Sequence, residues 1–294
     1  MAIVYRQLKE ALLMPDGKHP LISHLKQKQH LLETNDPAHK AIKAVAIFEG
    51  GGMRGVYGSG VIVGLEQLGM NEVFDGLVGI SAGACNAAYL AAHQAAVGPS
   101  VFYDDLPTGH FISLRRFGDF MDMGLLADVF RNRKPLDQQA LRASRSELYV
   151  GMTNVKTVQP KYLKLSDMPQ KFDVVNALIA SSALPGYTKT AIDIEGEWYS
   201  DGLTTCNDPI GYAINELGAT DILLVMNIPL GRGAKLTQLE KMRDRVLLKD
   251  YSSGFVQAHQ SRHQLNTLIA GYDLPVVTEK FPTLRGAPHY LCRR

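Results

Sequence analysis

The sequence is poor in cysteine and lacks any long apolar run. Its three cysteines, Cys85, Cys206 and Cys292, are odd in number and have neither metal-ligand nor redox spacing, which favours a reducing compartment. No apolar run approaches the roughly 20 residues that cross a bilayer, and the polar N-terminus lacks the apolar core of a secretory signal. We therefore expect a cytoplasmic protein whose contact with a membrane, if it has one, is peripheral.

A strong charge of either sign is also missing. Lys and Arg total 31 and Asp and Glu total 29, so the formal net charge is +2. No global field therefore draws the chain to nucleic acid, and we expect no such partner. The 294 residues, 46% of them apolar, can bury a sizeable core as one large α/β domain or two small ones. The composition leaves the oligomeric state open.

The first motif that is present is Gly-x-Ser-x-Gly at residues 79–83. It ends an apolar run and precedes a helix-forming segment. On such a turn between strand and helix, Ser81 is lifted out of the sheet as a nucleophile, and Gly79 and Gly83 give room where the two backbones approach. Cys85 is predicted to be a small buried side chain and not a second nucleophile.

A glycine-rich loop lies about thirty residues earlier, between another apolar run and another helix-like segment. Its residues are Gly50, Gly51, Gly52, Met53, Arg54 and Gly55. Backbone amides at a helix N-terminus stabilise developing negative charge, so this loop is a candidate oxyanion hole. The glycines also fit the dinucleotide fingerprint, which requires an acidic residue at the end of the next strand. Asp75 opens that strand instead, which disfavours a nucleotide site.

Two further segments complete a pattern. Residues 180–187 contain Ala-Ser-x-Ala-x-Pro, and residues 198–203 contain Asp201, Gly202 and Leu203. With the glycine loop and the serine motif in this order, the sequence resembles the patatin-like phospholipase family over about residues 43–230.

The resemblance implies a catalytic dyad of Ser81 as nucleophile and Asp201 as its partner. It also implies that residues 50–55 form the oxyanion loop. Leu203 departs from the glycine or alanine that many members carry after the Asp-Gly pair. The resemblance calls for no metal or other cofactor, because nucleophile, base and oxyanion donors are all protein groups.

The order of apolar runs predicts an α/β fold with a mostly parallel central sheet covered by helices on both faces, a three-layer α/β/α arrangement. We expect an N-terminal helical arm at residues 1–40, in which Tyr5 to Met14 has helical spacing. A catalytic domain should follow at residues 41–294. Residues 97–145 are a candidate insertion or lid beside the site.

Later elements are predicted from turns and periodicity. Glu195-Gly196 indicates a hairpin whose outgoing strand delivers Asp201. Beyond it we expect helices over residues 237–248 and 252–270 and a terminal strand over residues 275–278.

The insertion is rich in apolar and basic side chains. Its apolar residues are predicted to be mainly core. Its basic residues are predicted to form a solvated basic face, with contact to anionic head groups as the alternative; they are Arg115, Arg116, Arg131, Arg133 and Lys134.

The function that these motifs favour is phospholipase A-like transfer of an acyl group from an ester lipid to water, which releases a fatty acid. An α/β-hydrolase-type Ser-Asp-His esterase or thioesterase is an alternative, and it would need His259, His263 or His289 as base. His259 and His263 are spaced as a metal pair on a helix, but no acidic neighbour supports that, so structural roles are favoured. A non-catalytic lipid or acyl-chain binder is a further alternative. The natural substrate stays open.

Overall fold

A computed structural model describes residues 2–6, 20–108, 110–116, 118–189, 191–227 and 238–261 of the chain. These residues build an eight-stranded sheet of order β1-β8-β2-β3-β4-β7-β6, and β5 pairs with β4 outside this path. The strands are β1 (Ala2–Arg6), β2 (Ala44–Phe48), β3 (Gly76–Ile80), β4 (Glu147–Asn154), β5 (Pro160–Lys164), β6 (Ile192–Ile194), β7 (Glu197–Asp201) and β8 (Asp221–Val225).

The four central strands, β8, β2, β3 and β4, run parallel. All five residues of β2, of β3 and of β8 are buried, as expected for short apolar strands covered on both faces. Antiparallel pairings flank this centre, with β1 on β8, β5 and β7 on β4, and β6 on β7. The predicted α/β class with a parallel central sheet is confirmed.

Helices cover the sheet on both faces and form two outer layers. They are α1 (Pro20–Glu33), α2 (Gly55–Gln67), α3 (Ala82–Ala91), α4 (Gly98–Ser100), α5 (Leu106–Thr108), α6 (Met123–Asp128), α7 (Gln138–Ala143), α8 (Val174–Ser182), α9 (Pro209–Asn215), α10 (Gln238–Leu247) and α11 (Ser253–Ser261). Two π-helical turns, Val101–Asp105 and Val129–Arg133, follow α4 and α6.

Alternate side chains of each central strand enter two separate cores. Ala46 and Phe48 of β2 belong to the larger cluster, which also contains the apolar faces of α3, α8 and the insertion. Val45 and Ile47 belong to the smaller cluster on the other face, with Ile210 of α9. Full burial of a Val, Ile or Phe side chain stabilises a fold by about 1.5–3 kcal/mol. Both layers therefore hold the sheet in place.

β4 is longer than its neighbour β3, so a part of its edge is left for another strand to pair with. β3 pairs with β4 up to Ile80, which lies opposite Gly151. The next residue of β4, Met152, pairs with Asp201 of β7. Because β5 pairs with β4 across both regions, it occupies one edge of β4, and β3 and β7 share the other edge. β7 thus continues the line of β3 beyond its end.

The N-terminal segment joins the sheet. Ala2–Arg6 form β1, so the helix predicted over Tyr5 to Met14 is wrong for Tyr5 and Arg6, and residues 7–14 lie outside the described ranges. Pairing with the exposed edge of β8 gives these backbone groups hydrogen-bond partners that helical periodicity does not reveal.

α1 is held to the sheet by apolar and polar contacts. Leu21 and Leu25 are buried in the larger core. Lys28 is buried too, and its ammonium donates to Asp75 and to the carbonyl of Ile42. Burial lowers the pKa of Lys28, while the Asp75 carboxylate acts in the opposite direction. A charged group placed this deeply needs both partners.

The predicted hairpin between Ile192 and Asp201 is confirmed, with Glu195 and Gly196 both at positive φ as its two-residue turn requires. α10 and α11 begin close to the predicted positions. The remainder of the second predicted helix and the strand predicted over residues 275–278 lie outside the described ranges. The boundary at residue 40 and a moving lid at residues 97–145 stay predictions.

Candidate active site

Ser81 stands on a strained turn between β3 and α3. Its backbone has φ 55° and ψ −129°, a conformation that costs a non-glycine residue about 1–3 kcal/mol. The flanking glycines are required by close packing: a Cβ on Gly79 would lie 2.4 Å from Cα of Ala84, and one on Gly83 would lie 2.1 Å from the carbonyl oxygen of Phe48. The side chain of Ser81 is thereby presented at the C-terminal end of the sheet, at the N-terminus of α3.

A second serine ties this turn to the neighbouring strand. The amide of Ser81 donates to Oγ of Ser181 at 2.8 Å, and that hydroxyl donates to the carbonyl oxygen of Gly151 at 2.6 Å. Both bonds are buried. The Ser181 hydroxyl therefore replaces the sheet hydrogen bonding that β3 loses where its chain turns into α3. The sequence contains Ser181 within the Ala-Ser-x-Ala-x-Pro segment, but spacing alone does not reveal this contact.

Asp201 ends β7 at the position on β4 that follows the Ile80–Gly151 pair. It is 2% exposed, and its Oδ1 accepts from the amide of Leu203 at 2.8 Å. Its backbone is fixed as well, because its amide donates to the carbonyl of Ala183 at 3.0 Å and its carbonyl accepts from the Thr153 hydroxyl at 2.9 Å. The carboxylate is thus held in one orientation. Gly202 allows the tight turn, since a Cβ there would lie 2.5 Å from the carbonyl oxygen of Gly151.

The glycine-rich loop passes directly beside the serine. A Cβ on Gly50 would lie 3.1 Å from Cβ of Ser81. Residues 52–54 form a 3₁₀ turn that leads into α2 at Gly55. In the described part of the chain, the amides of Gly51, Gly52 and Met53 donate to no protein acceptor, as expected for the first N–H groups of a helical segment.

Asn227 anchors the glycine loop from the end of β8. Its amide donates to Oε2 of Glu49 at 2.9 Å, and its side-chain Nδ2 donates to the carbonyl of Glu49 at 2.6 Å. Its Oδ1 accepts from the amide of Gly58 in α2 at 3.1 Å. Sequence reasoning missed both Glu49 and Asn227. The available signal was position, since each polar residue directly follows an apolar run at the edge where the parallel strands end.

Asn86 connects the helices that follow the two motifs. Its Nδ2 donates to the carbonyl of Gly55 at 2.8 Å, and its Oδ1 accepts from the Ser59 hydroxyl at 2.8 Å. All three residues are buried. The N-termini of α2 and α3 are therefore locked together, with their positive dipole ends near Ser81.

These elements surround one cavity of about 430 Å³. Ser81, which is 9% exposed, and Asp201 both line it, with the glycine loop and several apolar side chains. The loop and partner residues at its wall are Glu49, Gly50, Gly51, Gly52, Met53, Arg54, Leu203 and Asn207. Of the residues singled out from the sequence, Gly55, Gly79, Gly83 and Gly202 lie behind this wall and shape it.

A narrower apolar cavity of about 30 Å³ also opens at Ser81. Residues of the candidate insertion supply most of its wall: Val101, Phe102, Leu106, Phe111, Met121, Leu126 and Phe130. Cys85 lines it too. Burial raises the pKa of the Cys85 thiol to about 12, so this group is a neutral thiol near neutral pH and a poor nucleophile.

The histidines do not enter this arrangement where the structure describes them. His259 of α11 is buried, bonds through Nδ1 to the Thr204 hydroxyl at 3.0 Å, and lies 3.9 Å from Oδ2 of Asp244. It is absent from the walls of both cavities. His263 and His289 lie outside the described ranges.

No group of three or more His, Cys, Asp or Glu side chains among the described residues could hold a metal ion. Likewise, no helix in those ranges combines the length and the apolar character needed to cross a membrane.

Comparison with known proteins agrees with the motifs. The family model described as "Patatin-like phospholipase" matches residues 46–214, which is more than half of the chain. A curated relative, "Uncharacterized protein YjjU" of Escherichia coli (strain K12), is 26% identical over 189 residues, covering 62% of this chain and 51% of the relative. The chain thus spans about half the length of that relative.

Solved structures with partial likeness include VipD from Legionella pneumophila, at 13% identity and a TM-score of 0.41, covering 55% of this chain and 46% of VipD. The type III effector protein ExoU has 15% identity and a TM-score of 0.33, covering 74% of this chain and 54% of ExoU. On the family match, which spans the glycine loop, Ser81 and Asp201, this chain belongs to the patatin-like phospholipase family.

Proposed function

We propose that this protein is a serine acyl hydrolase that releases a fatty acid from an ester lipid, with Ser81 as nucleophile and Asp201 as its base. The observation that carries the proposal is the convergence of Ser81, Asp201 and the glycine loop on one cavity wall. A serine hydroxyl needs an adjacent base and oxyanion donors to attack an ester at neutral pH, and this wall offers groups of both kinds.

The reaction would proceed in two acyl transfers. Oγ of Ser81 attacks the ester carbonyl carbon, and its proton passes to the Asp201 carboxylate. The carbonyl oxygen becomes an oxyanion that accepts from the loop amides. The ester C–O bond then breaks, and the proton moves from Asp201 to the departing alcohol.

Water completes the cycle. It attacks the acyl-Ser81 carbonyl and gives its proton to Asp201, and collapse of the second oxyanion returns a proton to Ser81 and frees the fatty acid. A carboxylate is a weak base in water, so the amides at residues 51–53 and the N-terminus of α3 would supply a large share of the stabilisation. Loss of one such donor typically slows acyl transfer by about 10²–10³.

The apolar surroundings favour a lipid acyl group as substrate. The narrow cavity beside Ser81 is lined mainly by aliphatic and aromatic side chains, which suit the first carbons of a hydrocarbon chain and not a sugar or a peptide. The larger cavity would hold the rest of the ester. Head group and positional preference are open to substrate profiling.

Fluorophosphonate labelling tests the proposal without knowledge of the natural substrate. Ser81 should be labelled in the native protein, and Ser81→Ala should abolish both labelling and hydrolysis of p-nitrophenyl butyrate. Asp201→Asn should keep the melting temperature near that of the wild type and lower kcat by at least about 10³-fold. A native protein in which Ser81 takes no label would instead favour a non-catalytic acyl-chain binder.

A further inference from the structure

A clamped loop forms part of the mouth of the larger cavity. Its described residues are 110–116 and 118–122, which we call the rim loop. Its two arms pair where Ile112 bridges Met121, and the Ser113 amide donates to the carbonyl of Phe120 at 2.8 Å. The main chain therefore forms a narrow antiparallel projection.

Arg116 fixes this projection from inside. Its guanidinium donates to the carbonyls of Phe111 at 2.7 Å, His110 at 3.0 Å, Asp119 at 3.2 Å and Phe120 at 3.3 Å. A single side chain thus links the two arms of the rim loop.

The clamped tip presents large apolar side chains to solvent. Leu114 is 84% exposed, the highest value among the large apolar side chains of the described residues, and Ile112 is 52% exposed. Ile112 also lines the cavity that contains Ser81. Because single exposed apolar residues are common on proteins, exposure alone means little. Here the exposed pair continues directly into the apolar wall of the candidate site.

The basic residues at the tip of the rim loop differ in their ion pairing from the other basic residues of the candidate insertion. Arg131 pairs with Asp173, Arg133 with Asp128, and Lys134 with Asp104 and Asp105, so the charge of each of these three residues is balanced by at least one acid. The guanidinium of Arg116 is occupied by its hydrogen bonds to the carbonyls of the rim loop.

Arg115 is exposed and makes no ion pair or hydrogen bond with any described residue. Lys189 is exposed beside the rim loop, where its amide donates to Asp119 at 3.2 Å. Two acids, Asp119 and Asp122, lie on the same loop, and Asp122 is 3.8 Å from Arg116. The most exposed part of the loop is therefore the apolar side chain of Leu114, and the exposed cation Arg115 follows it directly in the sequence.

We propose that the rim loop docks this protein onto an anionic phospholipid surface, with Leu114 and Ile112 at the boundary of head groups and acyl chains and Arg115 on lipid phosphates. The proposal rests on the proposed lipid hydrolysis and identifies the face through which the substrate would enter. A lipid surface fits better than a protein partner because the apolar tip adjoins the cavity that would receive the lipid. Amphipathic segments bind membranes through this combination of buried apolar area and basic charge.

Vesicle flotation with the full chain tests the docking. Wild-type protein should bind vesicles of phosphatidylcholine with phosphatidylglycerol more tightly than vesicles of phosphatidylcholine alone. Leu114→Asp should weaken binding to the mixed vesicles by about tenfold or more. Arg115→Gln should weaken it by about fivefold, and only on the anionic vesicles.

Matched controls exist on the opposite side of the molecule. Leu68 is 64% exposed at the end of α2 that lies away from the site, and Lys26 is exposed on α1. Leu68→Asp and Lys26→Gln should bind vesicles as the wild type does. Melting temperatures of Leu114→Asp and the milder Leu114→Ala exclude misfolding as the cause of any loss.

The outcomes separate docking from catalysis. Ser81→Ala should lose hydrolysis of p-nitrophenyl butyrate and keep wild-type vesicle binding. Each proposal can therefore be tested even if the other one fails. Equal binding by Leu114→Asp and wild type would overturn the docking role, as would a wild type that ignores anionic vesicles. Self-association of the wild type that Leu114→Asp abolishes, without vesicle binding, would assign the tip to a protein interface instead.

Discussion

β3 and β7 pair with consecutive parts of the same edge of β4, and this arrangement brings Ser81 close to Asp201. The residue before Ser81 pairs with Gly151, and Asp201 pairs with Met152, the next residue of the same strand. Successive residues of a strand are about 3.3 Å apart along its axis, so this register brings two distant parts of the chain side by side. The relationship depends on β3 and β7 both ending at this point of β4, and on the hydroxyl of Ser181, which links the Ser81 amide to the Gly151 carbonyl.

Ser181→Ala should displace Ser81, the proposed nucleophile, although Ser181 itself would make no contact with the substrate. It leaves the buried amide of Ser81 and the carbonyl of Gly151 without their shared partner, at a cost of about 1–3 kcal/mol in the free energy of unfolding. We expect kcat on a soluble ester to fall by about tenfold to a hundredfold, since small displacements of reacting groups are costly.

Ser182→Ala is the matched control for this change. Ser182 is the next residue of α8 and is buried at the wall of the narrow cavity; among the described residues, its hydroxyl contacts the sulfur of Cys85 at 3.9 Å and bridges no strand to the Ser81 turn. If the two variants have equal kcat and equal stability, the bridging role of Ser181 is wrong.

Gly50→Ala should impair catalysis through crowding. The added methyl group would lie 3.1 Å from Cβ of Ser81 and 3.2 Å from the carbonyl oxygen of Ile80. The loop or the serine must then move, and we expect kcat/KM to fall by about a hundredfold, as for loss of an oxyanion donor.

Gly60→Ala provides the comparison on α2, where a Cβ meets no atom within 4 Å. This variant should keep wild-type activity and gain up to about 1 kcal/mol of stability, because alanine favours helix. Stopped assays with p-nitrophenyl butyrate and chemical denaturation measure both quantities. Full activity in Gly50→Ala would remove the loop from the catalytic proposal.

Leu106→Ala should change which acyl chains are accepted. Leu106 lines the narrow cavity at Ser81, whose volume of about 30 Å³ holds little more than one water. Shortening this side chain extends the cavity, so the ratio of kcat/KM for a dodecanoyl ester to that for a butyryl ester should rise about tenfold.

Leu165→Ala removes the same atoms from a buried site that belongs to neither cavity wall. Both variants should lose about 2–5 kcal/mol of stability, and only Leu106→Ala should shift the chain-length ratio. An identical ratio in both would mean that the acyl chain lies elsewhere.

His259→Ala distinguishes a dyad from a Ser-Asp-His triad. The imidazole is buried against Thr204 and lies outside both cavity walls. We expect the variant to lose about 1–3 kcal/mol of stability through the broken hydrogen bond and to retain kcat while folded. A collapse of kcat with unchanged KM and an intact fold, comparable with Asp201→Asn, would support the triad.

The thiols beside the site should resist alkylation. Burial raises the pKa of Cys85 and of Cys206 to about 12, so below that pH each group stays a thiol, and the reactive thiolate appears only as the pH rises through that value. Iodoacetamide at pH 8 should leave both residues unmodified in the native protein and modify both in guanidinium, as read by peptide mass spectrometry. Rapid native modification of Cys85 with loss of activity would place a reactive thiol at the site.

Local chemistry is what the sequence by itself determined. The apolar runs of β2, β3 and β8 and the turn pair Glu195-Gly196 specify their own structure, because periodicity and positive φ are properties of a few consecutive residues. The glycine loop and the serine turn were readable for the same reason. The strand at Ala2–Arg6 was not, because its partner is an edge of β8 more than two hundred residues away.

Only the tertiary structure decided how these pieces meet. The register of β4 against both β3 and β7 sets the position of Asp201, and the hydroxyl of Ser181 and the side chain of Asn227 hold the serine turn and the glycine loop. It also sorted the basic residues of the insertion, pairing three with acids and leaving Arg115 exposed at the rim. Such contacts join residues far apart in the chain, and their geometry follows from packing, which no local pattern encodes.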